Sequence, residues 1–353
     1  MRPLEAVAVV VVATEHVGRP REELEVLRLE ARSSVSRGQV PVSVEPRGSR
    51  KRLAAPLELA DSTNHGLASS QDRGDTIARM NTDGYETLEV RVDGGIAYAT
   101  IDHPPINLFD AALIVEMDRF GREVEADPDV RVVVVDSANP DFFIAHADVG
   151  LILQLPQEQQ DAPTELPLFT AMVGRFHTMP KVSIAVIEGC ARGGGSELAL
   201  GMDMRFAARG RAVLAQPEVA VGIIPGGGGT QRLPRLVGRA RALEVITGCA
   251  DVDAELAERW GYVNRALPED ELRPFVDALA RRIASFPAEA IAHAKAAVIA
   301  AEPDPVPGLL EEAHRFNQTL ALDETRARME GFLAAGGQTR EFELQPSFEP
   351  SGS

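Results

Sequence analysis

An α/β core that gives way to a C-terminal run of helices is the fold class this sequence predicts. Three observations carry it. Alternating segments at Glu86 to Val92 and Gly95 to Ile101, joined by Asp93-Gly94, form a hairpin signature. Val132 to Val135 is a continuous β-branched run, as a strand buried on both faces requires. From Thr230 onward the periodicity turns helical. Mixed strand–helix units followed by helices alone give an α/β core with a helical tail.

Between the hairpin and the first buried strand, Asp110 is an N-cap acceptor for a helix expected over Ala111 to Ala126. Leu113, Val115, Met117 and Phe120 are among its apolar residues. Gln154 to Thr164 is polar and Gln-rich, a loop. Val182 to Ile187 is a second apolar strand, and Met204 to Ala208 and Ala212 to Leu214 are strands around the Arg209-Gly210 turn. Arg239 to Thr247 and Ala254 to Trp260 read as short helices; Glu271 to Ser285, Ala288 to Ala300 and Leu309 to Leu322 are longer. The organisation is thus a core over 81–270, a helical region over 271–340 and a frayed tail over 341–353.

The chain has 353 residues, 44% hydrophobic and 25% charged, an ordinary globular composition. Its net charge of −17 argues against a nucleic-acid partner. Two cysteines, Cys190 and Cys249, make no disulfide framework, so a reducing, cytoplasmic setting is expected. No apolar run has the length of a membrane span. The Val/Ala run from Ala6 to Ala13 is bracketed by Glu5 and Glu15 and lacks a cleavage pattern, so it is not read as a signal peptide. Residues 1–80 are close to charge-balanced, and Arg19 to Arg79 contains no Phe, Tyr or Trp. That composition predicts a disordered extension, with Met80 as the true start.

The stretch Ile187 to Arg232 carries the chemistry. Gly193-Gly194-Gly195-Ser196-Glu197 places a glycine run just before an apolar helix, where backbone N–H groups approach a ligand closely. Such donors hold a developing oxyanion, and a second carboxylate in Gln216-Pro217-Glu218 allows acid and base roles to be divided. The run Gly226-Gly227-Gly228-Gly229 is not a nucleotide loop, since no Gly-Lys-Ser/Thr follows. No His/Cys/Asp cluster has metal-ligand spacing.

These segments, together with His103-Pro104-Pro105-Ile106-Asn107, Phe142 to Asp148, Met179-Pro180-Lys181-Val182 and Ile224 to Leu233, resemble the crotonase superfamily, the enoyl-CoA hydratase/isomerase group. The resemblance implies a crotonase-like ββα spiral with a C-terminal helical region used in oligomerisation. It implies hydration of a 2-enoyl-CoA through an enolate, with Glu197 and Glu218 catalytic. The backbone N–H groups of Ala145 and Gly194 would form the oxyanion hole, and His146, Asp148, Gly193 and Gly226 would bind substrate. No metal and no cofactor beyond the substrate's own coenzyme A is expected; the expected partners are an acyl-CoA thioester and two or five further copies of the chain, with no nucleic acid and no membrane. Isomerisation or other acyl-CoA enolate chemistry is an alternative, and a non-catalytic acyl-CoA binder is another.

Three features depart from the family's pattern. His146 stands where glycine is usual; it either shapes the loop, serves the acyl pocket or takes part in acid–base work. Arg192 stands where an apolar residue is commoner; it either pairs with Glu188 or meets a substrate anion. The interval from Glu197 to Glu218 is one residue longer than the common pattern, an insertion that the Arg209-Gly210-Arg211 turn can absorb.

Overall fold

The computed structural model describes residues 80–345. The expected extension, apart from Met80, and the last eight positions of the expected tail lie outside the described residues.

Strand β1 (Leu88–Asp93) pairs antiparallel with β2 (Ile96–Ile101), in the register Leu88 to Ile101, across the expected hairpin. Helix α1 (Ala111–Ala126) begins where its cap requires: the Asp110 carboxylate accepts from Leu113 N at 3.0 Å. Leu113, Met117, Phe120 and Val124 recur at helical spacing and are fully buried, whereas Val115 faces outward at 47% exposure.

Two sheets are then built in alternation. Strand β3 (Val132–Ser137) joins the first sheet and β4 (Phe142–Ile144) starts the second. After the short α2 (Val149–Ile152) and α3 (Leu168–Thr178), β5 (Val182–Ile187) returns to the first sheet and β6 (Cys190–Arg192) to the second. Helix α4 (Gly194–Gly201) follows, then β7 (Met204–Ala208) and β8 (Val213–Ala215) in the same division. Each turn of this spiral is thus a long strand, a short strand and a helix. Parallel pairing holds β2, β3, β5 and β7 side by side. Their β-branched residues are buried on both faces, each worth roughly 1.5–3 kcal/mol relative to exposure. The turn between β5 and β6 needs glycine for space. A Cβ on Gly189 would lie 2.2 Å from the Asp141 backbone.

Past β8 the chain makes a 3₁₀ turn (Glu218–Val221), α5 (Gly229–Val237), α6 (Arg239–Gly248), β9 (Val252–Asp253), α7 (Ala254–Trp260) and β10 (Arg265–Leu267). The first sheet is ordered β1-β2-β3-β5-β7-β10 and the second β4-β6-β8-β9. Helix α8 (Glu269–Ala284) lays Leu272, Val276, Ala280 and Ala284 on the core, and α9 (Ala288–Ile299) is pinned to β5 by Lys295. The Lys295 ammonium donates to Phe176 O and Lys181 O and pairs with Asp203.

Helices α10 (Val306–Leu320), α11 (Asp323–Ala334) and α12 (Arg340–Glu343) complete the described chain. Helix α11 lies within the helical region expected over 271–340, and one expectation is corrected here. The tail expected to fray from 341 is ordered through Gln345, because Glu343 is buried and bonded within the fold.

Candidate active site

The start of α4 faces a cavity of about 650 Å³. Gly193 holds φ +48°, the left-handed region that favours glycine, and a Cβ there would lie 3.1 Å from Glu218 Oε1. That turn presents the Gly194 amide at the first position of α4, where a helix has no internal acceptor for it. Gly195 is held to glycine by space: its Cβ would lie 2.5 Å from Ile144 O.

The opposing donor is Ala147, not Ala145. The Ala145 amide donates to Ile106 O at 3.1 Å, and Ala145 packs in a small apolar cluster with Ile106, Phe142 and Cys190. Its N–H is therefore committed. Two residues on, a parallel bridge to Phe109 uses Phe109 N to His146 O and Asp148 N to Phe109 O. In that pattern the Ala147 amide points away from Phe109. It has no acceptor among the described residues, and Ala147 lines the cavity beside Gly194. A Cβ built on Gly194 would lie 3.5 Å from Ala147 N. Two free amides thus converge where an oxyanion can sit.

Glu218 lines the same cavity, on the 3₁₀ turn. Its Oε2 is buried without a hydrogen-bond partner among the described residues. Burial, and next the charge of Glu197, push its carboxyl well above the usual carboxylate range. Glu197 lies one turn into α4, 3% exposed, and does not line the cavity. Its Oε1 accepts from Gly227 N at 2.7 Å and Gly229 N at 2.9 Å. Burial raises its pKa, while those two amides and Arg232 pull it back. The two carboxyls are therefore unequal: two amides and Arg232 offset part of the burial of Glu197, whereas the charge of Glu197 adds to the burial of Glu218.

The remaining wall comes from the C-terminal helices. Phe332 of α11 meets the His146 ring edge-on, centroids 5.7 Å apart, and Phe342 packs against Phe332. His146 Nδ1 lies 2.7 Å from Ala147 O and Nε2 3.1 Å from Glu343 Oε1. Arg192 makes a two-pronged pair with Asp251, both contacts at 2.8 Å, and donates to Glu343 O at 2.7 Å. So Arg192 is a structural ion-pair residue, but its partner is Asp251; Glu188 pairs with Arg273 instead. His146 is not in the left-handed region, so histidine carries no backbone penalty in glycine's place.

Of the other expected binding residues, Gly193 and His146 line the cavity. Asp148 does not. It caps α2 by accepting from Gly150 N and takes a second bond from Gln338. Gly226 packs against the Phe316 ring, its carbonyl accepting from Thr170. Arg209 and Gly210, between the two glutamates, form an exposed turn in which Gly210 has φ +73°. Among the described residues no group of three His, Cys, Asp or Glu is placed to hold a metal.

Sequence reasoning missed Ala147, Glu312 and Glu343. Ala147 and Ala145 flank His146 symmetrically, and only the chain path tells which amide is free. For Glu312 a signal existed: it shares a helix face with Leu309, Ala313, Phe316 and Leu320, an odd place for a carboxylate.

Residues 91–339 match the family model for enoyl-CoA hydratase/isomerase. The chain is 34% identical over 251 residues to the "Probable enoyl-CoA hydratase echA8" of Mycobacterium tuberculosis, covering 70% of this chain and 95% of that protein. It is 32% identical over 251 residues to the crotonyl-CoA hydratase of Syntrophomonas wolfei, with the same coverage. A crystal structure from Streptomyces avermitilis bearing a provisional enoyl-CoA hydratase name is 40% identical. It superposes with a TM-score of 0.69, over 74% of this chain and 95% of that one.

Proposed function

This chain belongs to the enoyl-CoA hydratase/isomerase family, and from that membership and its site we propose that it adds water to a 2-enoyl-CoA. The observation that carries the reading is the pair of free amides, Ala147 and Gly194, in one cavity with Glu218, whose buried Oε2 has no partner among the described residues. The thioester oxygen would lie between the amides, which stabilise the enolate formed when water adds. Glu197, kept toward its charged form by Gly227 and Gly229, suits the base that takes a proton from water. Glu218, whose pKa is raised furthest, suits the acid that gives a proton to the α-carbon. Water's hydroxyl bonds to the β-carbon, the double bond is lost, and the two transferred protons balance. Val149, Ile152, Val221, Ile223 and Phe332 give an apolar wall for the acyl chain.

The test is loss of enoyl-thioester absorbance with purified protein over short and long chains. Turnover of at least one substrate is expected. Tight acyl-CoA binding without turnover across the panel would replace this reading with a non-catalytic binder. A β,γ-unsaturated thioester turned over faster than its α,β isomer would replace it with an isomerase.

The proposal extends to assembly. Several apolar residues of the helical tail are covered by their own chain, Leu309 and Leu320 among them. Phe286 (47% exposed) and Val298 (68%) are not. Those residues support a trimer or hexamer in a cytoplasmic setting. Light scattering giving a clean monomer at micromolar concentration would exclude it.

A further inference from the structure

Four consecutive backbone amides, 227 to 230, are divided alternately between two buried carboxylates. Gly227 N and Gly229 N donate to Glu197 Oε1. Gly228 N donates to Glu312 Oε1 at 2.6 Å, and Thr230 N to Glu312 Oε2 at 2.8 Å, with the Thr230 hydroxyl on the same oxygen. Glu312 projects from α10, 2% exposed, on the opposite side of this strap from α4.

The strap has no freedom to carry side chains. Gly228 has φ +108°. A Cβ on Gly227 would lie 2.3 Å from the Phe169 ring, and one on Gly229 2.6 Å from Gln216 Oε1. Glycine also leaves the strap without stiffness of its own, so the acceptors on either side must supply it. Glu197 fixes two amides and Glu312 the two between and beyond them. If Glu312 lost its acceptors, Gly228 and Thr230 would turn toward other partners. The strap would rotate, and Gly227 and Gly229 would leave Glu197.

Resting on the hydratase reading, we propose that Glu312 is a positioning residue for Glu197, acting through the strap 227–230. It touches no reacting atom and does not line the cavity. The charged and titratable groups around it are Glu197 on α4, Glu218 on the 3₁₀ turn and Arg232 on α5. Burial, and next the charge of Glu197, push Glu312 up to about 8. Below that pH it is a neutral acid, so replacing it with glutamine changes the hydrogen bonds without changing the charge.

The experiment compares wild type, Glu312→Gln and the milder Thr230→Val. Glu312→Gln is expected to lower kcat by ~10- to 100-fold with KM nearly constant, the signature of a displaced catalytic group. The acid limb of its pH–rate profile should move to higher pH, because Glu197 loses the amides that favour its ionised form. Thr230→Val should give the same changes, smaller. A folded Glu312→Gln protein with wild-type kcat and an unmoved acid limb would overturn the proposal. Hydrogen exchange of the peptide spanning 226–232 is read in the same proteins and does not depend on turnover. Faster exchange in both variants supports the clamp, and unchanged exchange overturns it. A wild type that hydrates no enoyl thioester while the variants still loosen the strap would sink the functional reading and leave the clamp standing.

Discussion

Glu197 and Glu343 are both shielded from solvent, 3% and 5% exposed, Glu197 being the more deeply enclosed, and their pKa values move in opposite directions. Burial pushes both up. At Glu343 the push is outweighed by His146, the Gln338 amide and Arg192, and the net shift is downward. At Glu197 the compensating groups are neutral amides and the nearby Arg232, and burial wins. Whether a buried acid stays charged is thus set both by how fully its surroundings exclude water and by the number and charge of its donors. The first arrangement fastens the C-terminal cap, and the second leaves two neighbouring carboxyls, Glu197 and the cavity-lining Glu218, with raised pKa values.

The largest effects should come from abolishing the second arrangement. Glu197→Gln and Glu218→Gln are each expected to cut hydration by ~10²-fold or more, the lower part of the range for a general acid or base. Stability should respond with the opposite sign. Glu218 binds its proton more tightly folded than unfolded, so folding is favoured below the unfolded pKa of about 4.3 and loses that advantage as pH rises through the folded pKa. Glu218→Gln should remove this loss, and urea midpoints should show the variant gaining on wild type from acid toward neutral pH. A variant that loses ground as pH rises would refute the raised pKa.

Breaking the first arrangement should cost stability. Glu343→Gln leaves Arg192 and His146 with less compensation in a buried cluster, a change worth about 3 kcal/mol when one partner of a buried pair is lost. Here the folded pKa lies below the unfolded one. The stabilisation is present above about pH 4.3 and disappears as pH falls through the folded pKa. Urea midpoints at pH 7 should separate variant from wild type and converge in acid. An equal difference at every pH would mean that the charge of Glu343 plays no part.

The contrast also marks what the sequence could disclose. Helix α1 was legible to both ends because its cap and its apolar period are local. Gly194 and Glu218 each stood out in a short patterned segment, and both line the cavity. Ala147 was displaced to Ala145, since a free amide is a property of the path that carries it past Phe109. Glu343 was hidden for the same reason. Its partners His146 and Arg192 lie far back in the chain, so a Glu in a Pro- and Ser-containing tail read as loose end. Of the two readings open for Arg192, the fold shows an ion pair, but with Asp251 in place of Glu188, because Glu188 is close in sequence and Asp251 only in space.

Glu188 supplies the smallest test of the comparison. It pairs with Arg273, as does Asp136, but the Arg273 side chain is 48% exposed, against 5% for Arg192. Water and salt reach the guanidinium, so its attraction to either acid is screened. Glu188→Gln should therefore cost no more than about 1 kcal/mol, and the cost should shrink in high salt. Arg192→Met should cost several-fold more and change less with salt, because the pair it breaks is two-pronged and its guanidinium is buried while Asp251 is only partly exposed. Urea midpoints at low and high ionic strength compare the two directly. Equal losses with equal salt dependence would show that exposure of the cation is not what separates these pairs, and the account of Glu343 would fail with it.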